Sequence, residues 1–212
     1  MSVNEGDLAI EDDAVEEIDP FAIRVLPWLL GIGGIIGLLA SIGLAVEKAN
    51  KEANAAYVPL CQVNSVISCS NVMTSTQSHV FGFSNTWLGI VGFSLVILIG
   101  LVALLRVQLP PFVWQGLQGG ALFGIGLVSW LQHETSYVIG ALCPWCMVVW
   151  FVMIPIFIYT TIYNLFQGNL PVPRSWLRGV DALAKYHWLV LIVWYGAVTA
   201  FVLYGLSVKG VL

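Results

Sequence analysis

The chain has 212 residues, of which 58% are hydrophobic and only 9% charged, with a formal net charge of -4. A soluble domain carries roughly 25% charged residues, so this composition excludes a protein surrounded by water and offers no basic surface for nucleic acid. The length suits about five bilayer spans of roughly 20 apolar residues joined by short connections, with no room for a second aqueous domain.

Eight of the twelve acids fall between Glu5 and Asp19. Residues 1–24 therefore read as a disordered acidic tail, without the positive leader of a cleaved signal. Five apolar segments follow, Val25–Val46, Trp87–Leu105, Phe112–Leu131, Pro144–Tyr163 and His187–Val208. They make residues 25–212 an all-α integral membrane domain. Trp28, Trp87, Trp114, Trp130, Trp145 and Trp188 stand at or near the ends of these segments as an aromatic belt. Gly33, Gly37 and Ser41, and again Gly116, Gly120 and Gly124, recur every four residues, a stripe that suits close helix packing. With the N-terminus inside, the inner segments hold Arg24, Arg106, Arg174, Arg178 and Lys185, and the outer ones Lys48, Lys51 and Lys209. The excess of inner cations selects that orientation.

The four cysteines form two pairs. Cys61 and Cys69 lie in the long connection 47–86, and Cys143 and Cys146 at the start of the fourth segment. Counting crossings puts both pairs on one face, the outer one in this orientation. In Cys143-Pro144-Trp145-Cys146, proline suits the first turn of a helix, which puts Cys143 at a helix N-terminus where the dipole favours thiolate. A zinc site is a weaker reading, because seven intervening residues are not the spacing of a structural zinc pair. Inert disulfides are weaker too, because a C-x-x-C loop is too small to constrain much. Redox chemistry is the best account, with three disulfide connectivities open.

Cys61-x7-Cys69, Ser70-Asn71-Val72-Met73, Ser75, Asn85-Thr86-Trp87-Leu88-Gly89 and the C-x-x-C motif together resemble the vitamin K epoxide reductase family, most of all its five-span bacterial members. The resemblance runs from about Ile32 to Trp150. It implies four helices bundled around a quinone with a fifth outside. It also implies an order: Cys61 takes electrons from a thioredoxin-fold partner, Cys69 exchanges with Cys143, and Cys146 meets the quinone. Asn85 would donate to a quinone carbonyl, and Ser75 would position the loop over the site. Trp150 stands where the animal enzymes have tyrosine; indole donates but does not accept hydrogen bonds, which favours plain quinone over epoxide.

The expected function is a quinone-dependent disulfide oxidase in a bacterial plasma membrane, its N-terminus cytoplasmic and its cysteines and C-terminus outside. Menaquinone, ubiquinone or a similar quinone would accept the electrons, and no metal is expected. Since no thioredoxin domain precedes Leu212, the thiol oxidase partner is expected to be a separate extracytoplasmic protein. His79, His133 and Glu134 are candidates to relay protons. The alternative is a membrane scaffold or transporter with structural cysteines, against which stands the near absence of charge within the spans.

Overall fold

Backbone polar groups inside a bilayer must be satisfied within the chain, so apolar runs of this length form helices. The computed structural model describes residues 20–80, 82–170 and 177–211; residues 1–19 of the expected acidic tail and Arg174 lie outside the described residues, while residues 20–24, expected to be disordered, form the first turn of a helix. Five long helices dominate: α1 Pro20–Ala53, α3 Asn85–Leu104, α4 Pro111–His133, α5 Pro144–Phe166 and α7 His187–Val208. Two shorter ones, α2 Cys69–Met73 and α6 Leu177–Lys185, lie in the connections, with a 3₁₀ turn at Thr76–His79 and a π turn at Glu134–Ile139. Among the described residues the only strand-like pairing is an isolated parallel bridge between Ile67 and Leu142.

The helices α1, α3, α5 and α7 are long and apolar enough to cross a membrane. The fourth, α4, has the same 23 residues as α5 but is diluted by Gln115, Gln118 and Gln132. It lies in the bundle between α5 and a cavity described below.

The first helix outruns its apolar stretch. It continues past the expected end at Val46 to Ala53, because the stretch after Val46 is rich in good helix formers such as Glu, Lys and Ala and has no breaker. Glu47, Lys48 and Lys51 are therefore helical residues, not loop residues.

Packing follows the small residues. The helix α1 lies against α3 and α5, and α4 against α5. Gly37 faces the ring of Phe93, and a side chain at Gly100 would meet the backbone nitrogen of Gly31 at 2.8 Å. The second glycine stripe only partly fits the packing expected of it. Gly124 abuts Met153 of α5, but Gly116 and Gly120 have nothing within 4 Å of a would-be side chain and border the cavity instead. Asn164, fully buried, locks α5 to α4: its Nδ2 donates to the Trp114 carbonyl at 3.1 Å and to Gln118 Oε1 at 3.3 Å. The last helix, α7, stands outside the other four. It meets them mainly at the π turn, where Gly205 fits against Ser136 and Tyr137.

Candidate functional site

The connection between α1 and α3 is built so that one cysteine pair rests on the other. Cys61 and Cys69 are joined by a disulfide. Ser68 caps α2, taking the Asn71 N–H at 3.4 Å and donating to Gln62 Oε1 at 2.8 Å. Two backbone bonds then fasten this loop to the approach to α5: Ser68 N–H donates to the Leu142 carbonyl at 2.9 Å, and Leu142 N–H to the Val66 carbonyl at 2.7 Å. The Ser68–Leu142 hydrogen bond joins two residues that each directly precede a cysteine, Ser68 before Cys69 and Leu142 before Cys143. Gly140 supplies the left-handed turn, at φ 70°, that ends the π turn and starts this approach. On the other side, the buried Glu47 carboxylate accepts from Tyr57 Oη at 3.1 Å and from Leu60 N–H at 3.3 Å, which fixes the strand of chain leading into Cys61.

The result is a contact of 3.3 Å between Cys69 Sγ and Cys143 Sγ, both wholly buried. Only Cys143 carries a hydrogen to donate there, since Cys69 is in the disulfide. Cys143 is the N-cap residue of α5, with Pro144 in the first turn. Its side chain closes no full cap hydrogen bond. Even so, the neighbouring thiol of Cys146 and the N–H groups of Cys146 and Trp145 favour its thiolate. They outweigh burial and hold the pKa below the ordinary thiol value.

A cavity of about 710 Å³ opens among α1, α3, α4 and α5, roofed by the segment from Val72 to Ser78. The walls are apolar, with Phe93, Val96, Leu117, Val149 and Met153 among them. The helices α3 and α4 flank it without packing closely on each other, and along that side Val91, Leu95 and Phe112 are exposed as well as cavity-lining. Such a cleft suits an apolar ring with a long tail reaching into lipid. Of the four cysteines, Cys146 alone borders it.

The other residues singled out in the sequence gather at the same place. Trp150 is 6% exposed and lines the cavity one turn beyond Cys146. Ser75 lines it too, its hydroxyl donating to the Val72 carbonyl at 2.7 Å. Asn85 is the first residue of α3, with Ser84 as N-cap. Its Oδ1 accepts from Val80 N–H at 3.2 Å and its Nδ2 donates to the Gln77 carbonyl at 2.7 Å, which leaves one amide hydrogen for the cavity. Glu134 lines the cavity and accepts from Gln77 Nε2 at 3.1 Å. His133 instead stacks on Tyr137, on the side toward α7.

Lys48, whose charge bears on topology, also belongs to this site. It lines the cavity and is 6% exposed. The signal was helical spacing: Ser41, Leu44 and Lys48 share one face of α1, and all three border the cavity.

Compared with known protein families, residues 28–161 match the vitamin K epoxide reductase family. The chain belongs to that family. A search of the curated proteins finds no match. Membership brings quinone-linked disulfide redox chemistry and a multi-pass membrane setting, and the all-helical fold is the vitamin K epoxide reductase fold.

Proposed function

We propose that this protein is a quinone-dependent disulfide oxidase. Two electrons enter at Cys61 from a separate, extracytoplasmic thioredoxin-fold thiol oxidase. They pass through Cys69, Cys143 and Cys146 in turn and leave on a membrane quinone. The observation that carries this reading is the order of the cysteines in space. Cys69 touches Cys143 at 3.3 Å, and Cys146 is the cysteine that borders the cavity.

Each transfer between pairs is attack by a thiolate on a disulfide sulfur. The partner's thiolate attacks Cys61 and, once its own second thiol resolves the mixed disulfide, leaves the loop pair reduced. Cys69 then attacks Cys143 in the oxidised C-x-x-C, freeing Cys146 as thiolate toward the cavity, and Cys61 attacks Cys69 to re-form the loop disulfide and release the Cys143 thiolate. Cys146 adds to an electrophilic ring carbon, and Cys143 attacks Cys146 Sγ to restore the C-x-x-C disulfide and release hydroquinone. In this reading the remaining amide hydrogen of Asn85 bonds a ring carbonyl, Ser75 holds the roof, and the Trp150 indole closes the wall.

In this proposal the cysteines face the outside, the N-terminus lies in the cytoplasm, and residues 25–212 act as one transmembrane unit. The test is purified protein with a dithiol donor and a soluble quinone. Both Cys143→Ala and Cys146→Ala should abolish quinone reduction, and Cys143→Ala with quinone should give a long-wavelength thiolate–quinone absorption band. Intact turnover in both variants would sink the relay.

A further inference from the structure

Quinone reduction needs two protons as well as two electrons, and of the cavity-lining groups described so far only the Cys146 thiol and Glu134, itself bonded to Gln77, could supply one. Lys48 has the geometry for that task. It stands on the cavity-facing side of α1 and barely reaches the outer surface. Its ammonium group donates to Ser84 Oγ at 3.0 Å, to His79 Nε2 at 2.9 Å and to Ser78 Oγ at 3.3 Å. All three partners are neutral acceptors when the His79 ring is neutral. No carboxylate is hydrogen-bonded to this ammonium among the described contacts, and Glu52 acts on it only from a distance, so a buried cation faces a mainly apolar cavity, a costly arrangement. The titratable groups around it are Glu52 on its own helix, His79 on the turn above, and Glu134 and Cys146 on the cavity wall.

The hydrogen bonds also make a path. His79 is exposed, its Nε2 receives from Lys48, and its Nδ1 lies 2.9 Å from Ser78 Oγ, whose hydroxyl donates to the Met73 carbonyl. A proton can therefore pass from outer water to His79 and on to Lys48 by exchanging donor and acceptor along one 2.9 Å contact.

We propose that Lys48 stabilises the negative charge that develops on a quinone oxygen and hands it a proton, with His79 restoring that proton from outside. This rests on the oxidase reading above. As Cys146 Sγ bonds to the ring, the displaced electron pair moves to the oxygen, which takes the proton from Lys48 Nζ. Cys143 then bonds to Cys146 Sγ, the sulfur–carbon bond breaks, and its pair reduces the second oxygen, which is protonated in turn. Two thiols lose two hydrogens, the quinone gains two, and the thiol protons released to water replace those delivered through His79. Lys48 is thus a candidate catalytic residue.

The test compares wild type, Lys48→Arg and Lys48→Met in lipid nanodiscs by three readouts. The first is binding, followed by tryptophan quenching, of a hydroxynaphthoquinone anion against neutral naphthoquinone. Wild type and Lys48→Arg should prefer the anion, and Lys48→Met should lose about 10-fold of that preference. The second is quinone reduction against pH. Lys48→Met should fall by about 100-fold, the usual scale of a lost general acid. Wild-type activity should drop on the alkaline side as Lys48 loses its proton, and that limb should vanish in Lys48→Arg, whose rate is lower but whose charge persists. The third is exchange of a dithiol with the Cys61–Cys69 disulfide, which all three should perform alike, and which shows that the variants are folded.

The proposal is overturned if Lys48→Met binds the anion as wild type does. It is equally overturned if Lys48→Met, with normal exchange, reduces quinone within about threefold of wild type, or if Lys48→Arg keeps the alkaline limb. Should wild type exchange dithiol yet reduce no quinone, the oxidase reading falls, and the anion comparison still decides the assignment of Lys48.

Discussion

Cys143 Sγ lies 3.3 Å from Cys69 Sγ, with the Cys61–Cys69 disulfide already formed. The two sulfurs that must bond to one another in the exchange between the pairs are thus already in contact. With Cys146 intact, a mixed disulfide between Cys69 and Cys143 is short-lived, because Cys146 can resolve it.

Replacing Cys146 by alanine should therefore trap that intermediate. Capping the freed Cys61 thiol with an alkylating agent pulls the exchange forward, and peptide mapping without reductant should then find Cys69 linked to Cys143. Recovery of the Cys61–Cys69 linkage alone would contradict the contact.

The pKa of Cys143 is lowered chiefly by the hydrogen bond from Cys146, then by the N–H groups at the start of α5, against an opposing effect of burial. A lowered thiol pKa favours the charged form. Its contribution to folded-state stability is thus complete above the ordinary thiol value and is lost as pH falls through the lowered one. Ultraviolet titration of the reduced protein should show a thiolate that persists below the usual range. In Cys146→Ala that transition should move back up, and no change would remove Cys146 as the main cause.

The two glycine stripes should respond in opposite ways. Gly37→Ala drives a methyl group against Phe93 and should cost about 1–3 kcal/mol, as overpacked cores do. Gly120→Leu has open space before it and removes about 1 kcal/mol of glycine's helix penalty, so thermal stability should hold or rise. The same leucine intrudes on the cavity, and the KM for quinone should increase. A KM unchanged from wild type would mean that the ring binds elsewhere.

Asn164→Ala should behave as a purely structural change. It strips a partner from the Trp114 carbonyl and Gln118, and from Asn169 Nδ2, which donates to Asn164 Oδ1 at 3.0 Å. Leaving such groups unpaired costs about 1–3 kcal/mol. The melting temperature should fall while quinone reduction per folded molecule stays level; a selective loss of activity would tie the α4–α5 lock to the chemistry.

Much of this was legible in the residues. The four cysteines, their common face and the helix start at Cys143 follow from apolar run lengths and one proline, and every long helix but α1 lies within three residues of where hydropathy puts it. What hydropathy misses is polar helix. The turns of α1 beyond Val46 are charged, so Lys48 looked like loop, although its spacing from Ser41 and Leu44 placed it on a functional face. Glycine spacing also says only that a face is small. Whether a neighbour fills the space, as Phe93 does at Gly37, or leaves it open, as at Gly116 and Gly120, depends on helices distant in sequence. The bridge between Ile67 and Leu142 had no local signal, because both partners belong to short irregular segments.

That bridge sets the mechanics of the relay. Its two backbone hydrogen bonds hold Cys69 in the same frame as the first turn of α5, so hand-over between the pairs requires side-chain rotation and no swing of the loop. The connection behaves as a fixed terminal, and the travelling is left to the molecules that dock at either end.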